Sequence, residues 1–99
     1  MKKAEFDQKL KEKGLSFYPN FSFGALEDAE GNFLRSTGID IIEQSDDDGP
    51  YWIVEEHDPD HEGRVFMSED DTYDYIYKRV LDRLEKGQVF WPAKESATA

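Results

Sequence analysis

Three stretches of the chain gather side chains that could do chemistry. The first is His57-Asp58-Pro59-Asp60-His61-Glu62, with two imidazoles and three carboxylates in six residues. A divalent cation could use such donors. Histidines at i and i+4 share a face only on a helix, and Pro59 argues against a helix here. Nothing else in the chain completes a zinc pattern. The stretch therefore reads as a solvated turn, and neither a metal nor a cofactor is expected.

The second stretch is Asp46-Asp47-Asp48-Gly49. Calcium loops alternate their acidic ligands and place a bidentate glutamate at position 12. Counted from Asp46, that position is His57, and Pro50 and Trp52 interrupt the pattern. The run reads instead as a turn carrying more charge than a turn requires, since Asn-Gly would serve as well. Surplus charge on a tip points to binding. The third group is aromatic: Tyr51, Trp52, Tyr73, Tyr75, Tyr77 and Trp91. Tyrosine and tryptophan are enriched at interaction hot spots. Tyr73 and Tyr77 belong to an apolar helical stripe and are expected in the core. Tyr75 lies about 160° away around the helix, beside Asp71, Asp74 and Asp82, and is expected to be an exposed anchor.

Little here points to catalysis. The chain has no cysteine, hence no thiolate nucleophile and no sulfur-ligated zinc. There is no Gly-x-Ser-x-Gly elbow, no phosphate-cradling glycine loop and no His-Glu-x-x-His. Acid pairs are so abundant that no single pair is informative, and 99 residues leave little room for the deep cleft that a two-carboxylate hydrolase needs. The sequence reads as that of a binding protein rather than an enzyme.

The formal charge is −11, and it is unevenly placed. Residues 1–15 and 78–99 each carry +2, whereas residues 16–77 hold 17 acids against Arg35 and Arg64 alone. Such a field repels nucleic acid and anionic lipid and attracts cationic surfaces. No secretory leader and no membrane-spanning apolar run are evident, so a cytoplasmic protein is expected, as a monomer or a small homo-oligomer.

The elements that must position these residues follow from periodicity. Residues 2–13 form a short amphipathic helix on Phe6 and Leu10, closed by Gly14. Residues 21–25 alternate apolar and small polar side chains and are expected as a strand. A turn over 27–32, a brief strand at 33–35 and a break at 36–38 follow. Residues 39–44 and 51–56 form a hairpin across the 45–50 turn. Within 51–56, Trp52 and Val54 are expected inside. Residues 64–67 form a further strand. Ser68 with Asp71 makes a capping box for the longest helix. Acids occupy its first turn, and Tyr73, Ile76, Tyr77, Val80, Leu81 and Leu84 form its stripe. Gly87 ends it, and Val89 to Pro92 pack back. The fold class is α+β: an antiparallel meander of about four strands with both helices on one face. Residues 1–92 form a single domain, and 93–99 a frayed tail.

The stretch Asp-Asp-Gly-Pro-Tyr-Trp-Ile-Val-Glu-Glu (47–56), then an acidic turn and a tyrosine-rich helix, resembles bacterial immunity proteins in general character. That resemblance implies tight binding to a toxin, often a cationic nuclease, by covering its active site or substrate path. Charge and exposure make Asp46, Asp47, Asp48, Glu55, Glu56, Asp58, Asp60, Glu62, Asp70, Asp71, Asp74 and Tyr75 the expected contacts to the basic surface of such a toxin. Two other functions fit the chain less well. One is a phage- or plasmid-borne decoy that mimics DNA, which would need acids spaced like phosphates over a long surface. The other is a small metal-binding or enzymatic domain centred on His57 and His61.

Overall fold

A computed structural model describes residues 1–57 and 62–86. The fold is α+β. Helix α1 (Lys3–Glu12) leads into strands β1 (Leu15–Tyr18), β2 (Ala25–Asp28), β3 (Phe33–Ser36), β4 (Ile39–Asp46), β5 (Gly49–Glu56) and β6 (Glu62–Phe66), and helix α2 (Glu69–Lys86) follows. The strands make two three-stranded antiparallel sheets, β1-β2-β3 and β4-β5-β6, each in chain order. The strand count is thus six rather than about four, and the meander is divided in two. No helix among the described residues is long and apolar enough to cross a membrane.

Ten residues make too short a helix to stand alone, so α1 depends on docking. Phe6 and Leu10 are its two buried residues. Phe6 meets Phe17 of β1 edge-on at 5.9 Å between ring centroids, and Tyr73 and Tyr77 of α2 at 5.2 and 6.3 Å. Gly14, at φ +74°, ends the helix, and its N–H donates to the Lys11 carbonyl. Helix α2 starts as its sequence indicates, with the Asp71 N–H donating to Ser68 Oγ at 3.0 Å. Its buried stripe of Tyr73, Ile76 and Val80 closes a core with Leu15, Phe17, Leu26, Ile39, Ile41, Trp52 and Val54. The inward placement of Trp52 and Val54 matches expectation.

Residues 21–24 do not form the expected strand. Ser22, Phe23 and Gly24 take φ of +51°, +59° and +78° in succession, after Asn20 at +65°. This is a left-handed turn in which Gly24 N and Ala25 N both donate to the Phe21 carbonyl. Left-handed backbone costs a non-glycine residue about 1–2 kcal/mol, so something must hold it. Three successive carbonyls are each taken by residues 36–38, the end of β3 and its link to β4. Ser36 Oγ donates to Ser22 O at 2.7 Å, and Gly38 N donates to Phe23 O at 2.8 Å. Thr37 donates to Gly24 O from both its N–H (2.9 Å) and its hydroxyl (2.8 Å). This corner joins the two sheets. A Cβ on Gly24 would lie 2.1 Å from the Ile39 carbonyl oxygen.

Gly24→Ala therefore should lower unfolding stability by about 3 kcal/mol or more, through backbone clash and a forbidden φ. Gly14→Ala, also at positive φ but with no atom within 4 Å of the new Cβ, should cost about 1 kcal/mol. Urea denaturation of the two variants measures the difference.

Candidate functional site

The β4–β5 hairpin concentrates the acidity. Between residues 39 and 56 stand Asp40, Glu43, Asp46, Asp47, Asp48, Glu55 and Glu56, without one lysine or arginine. The strands pair in register from Ile39↔Glu56 to Asp46↔Gly49, leaving Asp47 and Asp48 as a two-residue loop. Only Gly49 takes positive φ there, at +114°, and Asp46 Oδ1 accepts the Asp48 N–H at 2.9 Å. The turn geometry thus rests on Asp46 and Gly49, while the side chains of Asp47 and Asp48 add charge alone. Pro50 continues the strand, contrary to expectation. It sits opposite Ser45, whereas β6 reaches only as far as Trp52. No third strand requires its missing N–H. The outer part of the hairpin, from the Gln44–Tyr51 pair to the tip, is therefore a two-stranded ribbon, and residues 43–48 are exposed.

Strand alternation divides the two glutamates that follow. Glu55 lies on the face away from the helices, half-buried. Glu56 turns inward with Trp52 and Val54 and is 3% exposed. Its Oε1 accepts from Arg79 Nε at 2.9 Å and from Arg83 Nη2 at 3.0 Å. Its other oxygen accepts the Tyr75 hydroxyl. Arg83 is itself 2% exposed and also donates to the Thr37 carbonyl. Two expected surface contacts are corrected here. Glu56 is an internal counter-ion, and the Tyr75 hydroxyl is held inside, with burial and the bond to Glu56 both raising its pKa. The Tyr75 ring packs on Phe66 at 5.2 Å and lies under the Arg64 guanidinium. The signal for Glu56 was present in the sequence, because it shares a strand face with the two residues expected in the core.

The acids of α2 are exposed but partly occupied. Asp70 lies 3.3 Å from the Met1 ammonium and 3.3 Å from Lys2 Nζ. These two cations, Lys2 first, hold its carboxyl below the usual aspartate range. Asp74 also accepts from the Met1 ammonium, and Glu69 accepts the Lys3 N–H at 2.9 Å. Asp71 is exposed. Glu62 is exposed and stands 3.9 Å from Arg64. Asp58, Asp60 and His61 lie outside the described residues, as do Gly87, Val89 to Pro92 and the 93–99 tail.

His57 is engaged within the fold. Its Nε2 is 3.3 Å from Asp40 Oδ2, and the Phe23 ring meets it edge-on at 5.3 Å. Asp40 also accepts the Asn20 N–H at 2.8 Å. Among the described residues no group of three or more His, Asp or Glu side chains is placed to hold a metal ion. Asn20, Phe23 and Asp40 escaped sequence reasoning, since only the left-handed turn brings them together. Comparison with known proteins finds no matching family model, no similar curated protein and no similar solved structure.

Removing one member of a buried ion cluster strands the others in a dry site, at a cost of about 3–5 kcal/mol. Glu56→Leu should show that loss in urea denaturation, because it leaves the 2%-exposed Arg83 without a counter-ion. The Glu56→Leu/Arg83→Met double variant should recover part of it, because it removes the buried unpaired charge while the partly exposed Arg79 can turn to water.

Proposed function

We propose that this protein is an inhibitor of the immunity type: it acts in the bacterial cytoplasm and neutralises a toxin by binding a basic surface on it. One observation carries the reading. Glu43, Asp46, Asp47 and Asp48 project on an exposed ribbon, and among the described residues no cation pairs with any of them. Some carboxylates elsewhere are met by the chain's own cations, Glu56 by Arg79 and Arg83 and Asp70 by Met1 and Lys2; what sets the ribbon apart is four unpaired acids within six residues on one exposed tip. Adjacent like charges repel, and of the three aspartates the turn uses only Asp46. Their use is outside the molecule.

A toxin must be intercepted before it does damage. Opposed charge raises association rates by about 10–10³-fold, and carboxylates can enter subsites shaped for phosphates. A ribbon without a third strand is also narrow enough to enter a cleft. The DNA-mimic alternative is less well supported. It needs a long run of phosphate-like charge, whereas Glu56 is inside and Asp70 and Asp74 are tied to the chain's own cations.

The test is genetic and direct. Open reading frames flanking the gene are expressed singly in a bacterial host, with and without this chain. One flanking product should arrest growth, and co-expression should restore it. Asp47→Lys/Asp48→Lys should abolish the rescue at an unchanged melting temperature. No toxic neighbour, or full rescue by the charge-reversed variant, would contradict the proposal.

A further inference from the structure

Among the described residues, helix covers only one face of the β4-β5-β6 sheet. Trp52, Val54 and Glu56 point toward α2, so residues 51, 53 and 55 point away from it. The register then fixes what shares that outer face. Ile42 stands opposite Ile53, and Ile53 stands opposite Val65. One cross-strand row of three β-branched side chains thus crosses the whole sheet. Val65 is 61% exposed, and Met67, two residues on, is 64% exposed. The next row toward the tip is Gln44 with Tyr51, and the next row toward the base is Asp40, Glu55 and Gly63. Among the described residues, the turn over 20–24 reaches this face at its Asp40 and His57 end, and no helix packs on it.

Val65 and Met67 are exposed and Ile42 and Ile53 half-buried, a row about 10 Å across the three strands and one residue wide along them. A stable complex buries about 800 Å² per partner. The row is thus the size of an interface centre, not of a whole interface. Protein interfaces have an apolar centre and a polar rim. Here the Ile42–Ile53–Val65 row has Asp46, Asp47 and Asp48 beyond Tyr51 at one end and the Asp40–Glu55 row at the other. A second copy of this chain fits poorly, because two molecules of charge −11 would meet acid to acid over an area too small for a stable dimer.

We propose that this helix-free face is the apolar centre of the contact, and that its occupant is a basic protein surface presenting apolar side chains among its lysines and arginines. The inference rests on the acidic-ribbon reading and adds the face beside the ribbon. The tip steers the partner in, and the isoleucine and valine row supplies the contact that holds it.

The probes are two extended peptides of equal charge, one alternating lysine with leucine and the other lysine with serine. Each is titrated into the isotope-labelled full chain and followed by backbone amide shifts. The leucine peptide should bind about tenfold more tightly, with shifts at Ile42, Ile53 and Val65 as well as at 46–48. Val65→Ser and Ile53→Thr should reduce it to the level of the serine peptide. Val65 is exposed, so its variant keeps the fold even if Ile53→Thr weakens it. Equal binding of both peptides with shifts confined to 46–48 would overturn the inference and leave the acidic-ribbon reading standing. Absence of any shift at the tip with either peptide would count against that reading as well. Dimerisation abolished by Val65→Ser would overturn the inference by assigning the face to a second copy.

Discussion

One buried guanidinium ties the molecule together. Arg83 leaves α2 and ends on two acceptors, the Glu56 carboxylate at the end of β5 and the Thr37 carbonyl at the corner between the sheets. The helix, the second sheet and the corner are fixed relative to one another by a single side chain. Burying it is costly unless its donors are satisfied, so it tolerates few arrangements. The corner it grips also holds the left-handed turn, through Ser36, Thr37 and Gly38. The polar interior therefore specifies geometry, while the aromatic core around Phe6, Tyr73 and Trp52 supplies the burial.

This arrangement accounts for how the charge is divided. Carboxylates that reach a cation become structural: Glu56 beneath the sheet, and Asp70 and Asp74 beside Met1. Those at the tip, Asp46, Asp47 and Asp48, have no third strand beside them. Among the described residues, no cation meets the most concentrated negative charge. A basic partner can meet it.

Features set by neighbours in the chain were legible in advance. Ser68 and Asp71 marked the start of α2, the 45–50 run marked a hairpin, and alternation placed Trp52 and Val54 inside. Features set by distant partners were not. Phe21-Ser22-Phe23-Gly24-Ala25 alternates like a strand, and only the close approach of Gly24 to Ile39 reveals a turn. Glu55 and Glu56 look equivalent until Arg83, 27 residues away, claims one of them. Tyr75 was placed on the polar side of its helix, where it meets a buried carboxylate instead of solvent. Of the expected surface, the 46–48 tip is exposed, and among the described residues no cation pairs with its carboxylates.

The central claim is that the ribbon's charge captures a basic partner. The most direct measurement is the association rate constant with the partner proposed above, the flanking product that arrests growth in the co-expression test, over a range of ionic strength, for the native chain and for Asp46→Asn/Asp47→Asn/Asp48→Asn. The account predicts that the native rate falls steeply as salt rises, and that the neutralised variant starts about tenfold lower with a shallower slope. Identical rates and salt slopes for the two proteins would contradict it.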